Sequence, residues 1–149
     1  MTDDSDLTAL YSTRILALAA DMPRCGRLDA PDASGRARAP LCGSTVSVDL
    51  MLAGGRISDY RQDVRACALG QAAASVVGGA ILGCSRDDVA RARTELAAML
   101  AGGPAPAAPF GGLEVLVVAR AHRNRHASIL LALDATLAAF DTATGGPAG

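Results

Sequence analysis

Six side chains in this 149-residue sequence have the chemistry to bind a soft metal ion or to carry sulfur: Cys25, Cys42, Cys67, Cys84, His122 and His126. Thiolate and imidazole are ligands of zinc, of iron and of iron–sulfur clusters. Local sequence relates two of them. Thr45 to Leu52 alternates, with Val46, Val48, Leu50 and Leu52 on one side and Thr45, Ser47 and Asp49 on the other, which is the period of a strand with one buried face. Gly54-Gly55 is a hairpin turn signal, and Arg56 to Ala66 reads as the returning strand. A turn centred between the glycines sets Cys42 opposite Cys67, where Cβ atoms lie roughly 4.5–5.5 Å apart. A bulge would move that register by one. Paired there, the two thiols could share one ion or form a disulfide. Cys67 also stands where a strand hands over to a helix, and the positive end of the helix dipole lowers a thiol pKa. The alternative for both is the role of a small buried hydrophobe.

The elements that must position these groups form an α+β fold, a small antiparallel sheet of about three strands with helices packed on one face. Leu7, Leu10, Tyr11, Ile15 and Leu18 make a helical stripe that Asp6 could cap. Pro23 to Leu41 is rich in Gly, Pro, Asp and Arg and reads as a long loop, with a short edge strand near Arg36 to Ala39. Ala68 to Leu82 is a small-residue helix that weakens at Gly78-Gly79. Ser85-x-x-Asp88 resembles a capping box before a helix carrying Val89, Leu96, Met99 and Leu100. Gly102 to Gly112 is a loop, and Leu113 to Val118 is ambiguous between helix and strand. His126 to Phe140 is the last helix, with Leu130, Leu133 and Leu137 inward. Residues 1–141 make one domain and 142–149 a disordered tail.

Composition narrows the function classes. Half the residues are hydrophobic, so a core can form, and the net charge is only −1. With 3% aromatics, the chain offers neither a basic groove nor a stacking platform, and no nucleic-acid binding is expected. All 14 basic residues are arginine and 32 residues are alanine, a bias of the kind a GC-rich genome produces. The acidic start does not read as a signal peptide, and the apolar runs fall short of the ~20 residues a membrane span needs. The expected location is cytoplasmic, where thiols stay reduced and more often bind metal than pair as disulfides.

The order of the motifs resembles a known family. Pro23-Arg24-Cys25-Gly26, Pro40-Leu41-Cys42-Gly43-Ser44 before the alternating strand, Ala66-Cys67-Ala68-Leu69-Gly70-Gln71, and Arg125-His126-Ala127-Ser128-Ile129-Leu130 look like the iron–sulfur cluster assembly scaffolds of the IscU and NifU N-terminal type. The likeness runs from about Leu10 to Phe140, and the long Gly102–Gly112 loop resembles the SufU/NifU branch more than the shorter IscU one. It implies a scaffold or carrier, with no catalytic turnover and no catalytic residue, that takes sulfur from a cysteine desulfurase, binds iron and passes a cluster to acceptor proteins. The family's first and second cysteines correspond to Cys42 and Cys67, and its histidine to His126. Two positions depart: Ser44 stands where the family has Asp, and Ala127 where it has its third Cys. The family's chaperone-docking Leu-Pro-Pro-Val-Lys segment is replaced by residues 120–124, Arg-Ala-His-Arg-Asn.

The implied ligand set for a [2Fe–2S] cluster or iron is therefore Cys42, Cys67 and His126, one short of the four a cluster wants. Zn is the alternative metal. Cys25 could complete the set if its loop folds over the hairpin mouth, or a homodimer could do so by symmetry. Such a site, with less negative charge, would hold a cluster or Zn more weakly than a three-cysteine relative. Cys84 belongs roughly 20 Å from Cys67 along the intervening helix and reads as a bystander. His122 reads as exposed. Arg120, Arg123 and Arg125 form either a solvated turn or a docking face for an acidic partner. Asp49, Asp59 and Asp63 read as surface residues of the strands. The competing functional reading is a Zn-binding or metal-free divergent relative that acts as a regulatory or interaction domain.

Overall fold

The structure, a computed structural model, describes residues 12–40 and 43–143. Three antiparallel strands in the order β1-β2-β3 form the sheet: β1 Ala33–Arg38, β2 Thr45–Ala53 and β3 Arg56–Arg65. Among the described residues four α-helices accompany it: α1 Thr13–Ala20, α2 Ala68–Ala80, α3 Arg86–Leu100 and α4 His126–Ala143. No helix among the described residues is long and apolar enough to cross a membrane.

Gly54 and Gly55 both adopt positive φ, at 61° and 79°, so the tight hairpin turn forms where expected. Next to it Ala53 pairs with Arg56 and Leu52 with Ile57, the register that a centred turn requires. A bulge between Met51 and Leu52 then shifts the pairing by one, so that Thr45 faces Arg65 at the open end. Continued past that pair, the register sets Gly43 rather than position 42 opposite Cys67.

Helix α4 is the centre of the molecule. The sheet packs on one side of it and α2 and α3 on the others, so Ile129, Leu130, Leu131, Ala132, Leu133, Ala135, Ala139 and Phe140 are all buried. A single inward stripe of Leu130, Leu133 and Leu137 is thus too narrow a description, because an element surrounded by neighbours is apolar on nearly every side. Tyr60 reaches α4 from β3, and its hydroxyl shares a 3.1 Å hydrogen bond with Thr136; burial pushes the phenol pKa up to about 12. Gly35 lets β1 lie directly on α4, since a Cβ there would meet the backbone of Ala135 and Ala139. The Ser85–Asp88 capping box is present in both directions at the start of α3.

Four expectations change. Helix α1 is described from Thr13, capped by Ser12, whose hydroxyl accepts from Ile15 N–H; Asp6 and Leu7 to Tyr11 lie outside the described residues. The edge strand runs from Ala33 to Arg38. Gly111–Ala119 is a 3₁₀ segment burying Leu113, Leu116 and Ala119, a spacing of three that fits neither an α-helix nor a strand. Thr142 and Ala143 belong to α4, and the rest of the expected tail, residues 144–149, lies outside the described residues.

The segment after Pro23 is also more ordered than a loop. Gln62 donates its N–H to the Arg24 carbonyl at 2.8 Å and accepts from Gly26 N–H at 2.9 Å, which pairs this segment to the outer edge of β3. Arg27 then reaches Asp49 in a two-pronged ion pair at 2.8 and 2.7 Å. Leu28 N–H and the Ser34 hydroxyl complete the shell around that carboxylate, at 3.0 and 2.6 Å. Asp49 is therefore 2% exposed and not a surface residue. The Arg27 bond, the larger influence, holds its carboxyl near a pKa of about 2, against a desolvation that would raise it. Asp59 and Asp63 stay at the surface beside Arg61 and Arg65.

Candidate functional site

The open end of the hairpin is where the chemistry-bearing residues collect. Cys67 is the N-cap of α2, in extended backbone, and its thiol is half-buried. Its sulfur lies 3.5 Å from the Ser128 hydroxyl, and Ser128 in turn donates to the Ser44 hydroxyl at 3.2 Å. Ser44 and Ser128 are 6% and 1% exposed. Burial pushes the Cys67 thiol up; the Gly70 amide, the Ser128 hydroxyl, the Arg125 guanidinium and the Leu69 amide outweigh it, and the pKa falls below the ordinary thiol value. The strand-to-helix junction has the expected consequence: N–H groups at the start of α2 face a sulfur.

Gly70 makes this approach possible. A Cβ at that position would stand 2.5 Å from Ser128 Oγ and 2.9 Å from Ala66 Cβ, so only glycine lets α4 bring Ser128 over the start of α2. Ser128 and Arg125 are the site residues that motif reading passed over. The available signal was their position, each within a turn of His126 at the start of a helix.

The other expected residues that the structure describes point elsewhere. Cys42 lies outside the described residues; its neighbours Gly43 and Ser44 are tied to Ala39 by hydrogen bonds of 2.9 and 2.8 Å at the hairpin mouth. Cys25 is exposed on the segment paired to β3, with its thiol 3.4 Å from the Met22 carbonyl. His126 opens α4, but its Nε2 is 2.9 Å from the Ala119 carbonyl and its ring lines a separate cavity with Leu100 and Arg120. Positions two apart on an α-helix differ by roughly 200° in direction, so a helix that presents Ser128 to Cys67 turns His126 away. Ala127 is exposed between them. His122 is half-buried, not fully exposed as expected. Cys84 is buried at the turn end of the hairpin, far from the mouth: its carbonyl accepts from Ile57 N–H, its thiol faces the Ala80 carbonyl, and burial raises its pKa.

Among the described residues no three His, Cys, Asp or Glu side chains converge as a metal site. Cys25, Cys67 and His126 thus do not make one together as their side chains stand. The three arginines of the 120–125 cluster separate as well. Arg120 donates to the carbonyls of Met99 and Gly103 at 2.7 and 2.5 Å, Arg125 turns to Cys67, and Arg123 points out beside the cavity.

This arrangement has known counterparts. Residues 10–122 match the family model described as the NifU-like N terminal domain. The N-terminal part of a nitrogen-fixing NifU-like protein from Brucella abortus is similar in structure, with a TM-score of 0.89 and 37% identity, over 94% of this chain and 98% of that one. A proposed iron–sulfur cluster assembly scaffold of the SUF system from Fervidobacterium islandicum shares the fold, with a TM-score of 0.78 and 18% identity over 89% and 98% of the two chains. No curated protein matches the sequence.

Proposed function

Because the chain belongs to the family of NifU-like N-terminal domains, we propose that it is a scaffold or carrier in iron–sulfur cluster assembly, accepting sulfur and iron and passing a cluster to acceptor proteins. The observation that supports this most directly is Cys67: a thiol of lowered pKa, half-buried at the N-cap of α2, flanked by amide and guanidinium donors and hydrogen-bonded with the Ser128 hydroxyl. Such a sulfur suits transfer from a cysteine desulfurase. The Cys67 thiolate attacks the outer sulfur of the donor's persulfide; the donor's S–S bond breaks, a new S–S bond forms on Cys67, and the donor cysteine leaves as thiolate. An external two-electron reductant then cleaves the new S–S bond, releasing the outer sulfur as sulfide and returning Cys67 as thiolate; iron binds with Cys42 as the second thiolate, and the cluster is cargo of the protein, which turns over no substrate of its own. His126 and Cys25 remain proposed ligands only after a change of side-chain direction. Cytoplasmic operation, where thiols stay reduced, belongs to the same reading.

A specific observation favours the second reading. Neutral Ser44 and Ala127 take the places of the family's Asp and third Cys, and His126 is engaged by a carbonyl. A site so short of anionic ligands compensates a cation poorly, which fits a relative that binds Zn or no metal and acts through interaction alone. Anaerobic reconstitution with iron and sulfide, followed by metal analysis and an absorption spectrum, separates the two. Cluster bands in the parent that vanish in Cys67→Ala support the scaffold. A parent that takes up no iron supports the second reading. Equal loading of Cys67→Ala and the parent places the chemistry elsewhere.

A further inference from the structure

A second cavity, of about 480 Å³, opens on the far side of the α4 start from Cys67. Its floor is apolar, made by Leu100, Ala101 and Ala121 at the end of α3 and in the turn before α4. Arg120, Arg123 and His126 form its rim. The volume is that of a small-molecule site, where an apolar lining with a few placed polar groups is the usual composition.

The rim groups differ in what they have left to offer. The His126 ring is held by the Ala119 carbonyl. The Arg120 guanidinium satisfies the carbonyls of Met99 and Gly103, which offsets the negative end of α3 that would otherwise repel an anion. The Arg123 side chain has no partner among the described residues and stands exposed at the cavity edge. A single free guanidinium fork matches one carboxylate, through two parallel N–H donors, better than it matches a phosphate dianion that needs further cations. Alanines at 101 and 121 leave the floor open for an apolar body.

We propose that this cavity binds a small carboxylate with an apolar body, its carboxylate on Arg123 and its body over Leu100, Ala101 and Ala121. The carboxylate site does not include Cys67, and its Arg123 anchor plays no part in the iron–sulfur reading, which shares only His126 with the cavity rim. The test is a titration of ¹⁵N-labelled protein with phenylacetate, followed by amide shifts, with phenylacetamide as the neutral isostere. Saturable shifts centred on Leu100, Gly102, Ala121 and Arg123 are expected, with about ten-fold weaker binding of the amide, since a charge-assisted pair is lost. Arg123→Gln, at an exposed position, should weaken phenylacetate to the level of the amide and leave the amide's own binding unchanged. Shifts centred elsewhere, absence of saturation at millimolar ligand, equal binding of acid and amide, or an unaffected Arg123→Gln variant would each overturn the proposal.

Discussion

At the scale of single residues, the most consequential charge outside the hairpin mouth is the Asp49 carboxylate. Its pKa of about 2, well under the unfolded value of 3.8, means that the folded state prefers the ionised form. The shift corresponds to about 2 kcal/mol of stability. For a depressed carboxylate this contribution is complete above the unfolded pKa and disappears as pH falls through the folded one. Denaturant midpoints measured from about pH 6 to pH 2 should therefore drop steeply below about pH 4. Asp49→Asn should be less stable at neutral pH and should flatten that drop; a parallel pair of curves would show that the Arg27 clamp contributes nothing. The residues at the mouth make a second prediction. Ser44→Asp with Ala127→Cys returns a carboxylate and a thiolate to the start of β2 and the start of α4. In competition with a coloured chelator at fixed pH, the double variant should hold Zn or a cluster more tightly than the parent, and Cys42→Ala or Cys67→Ala should abolish binding.

At the scale of elements, close approach of backbones decides what substitution the fold tolerates. Gly35 lies against α4 with no room for a side chain, whereas Gly79, on the exposed face of α2, has nothing within 4 Å of where a Cβ would stand. Gly35→Ala should destabilise by about 1–3 kcal/mol, through separation of β1 from α4. Gly79→Ala should stabilise by up to about 1 kcal/mol, through helix propensity alone. Thermal unfolding of the two variants measures both, and a destabilised Gly79→Ala would contradict the account of α2. The same backbone logic explains the mouth. Gly70 admits Ser128, and the rotation of α4 that brings Ser128 to Cys67 points His126 toward Ala119.

At the scale of the whole molecule, ligand supply is the question that one chain leaves to two. A [2Fe–2S] cluster takes four protein ligands, and on the proposed reading Cys42 with Cys67 would provide two thiolates per chain. If the cluster is loaded with thiolates alone, the loaded protein should be a dimer with one cluster per two chains, by light scattering and iron analysis. A loaded monomer with one cluster per chain would instead require Cys25 or His126 to swing into the site. Much of this molecule was readable beforehand, because local periodicity and turn chemistry are written residue by residue. The alternation of β2, the Gly54-Gly55 turn, the capping box at Ser85 and the motif order of the family all follow from neighbours in sequence. The bulge at Met51, the burial of Asp49 beneath Arg27, and the direction of the His126 ring do not. Each depends on a contact between segments distant in the chain, where packing against α4 or the sheet chooses among conformations that sequence alone leaves equal in energy.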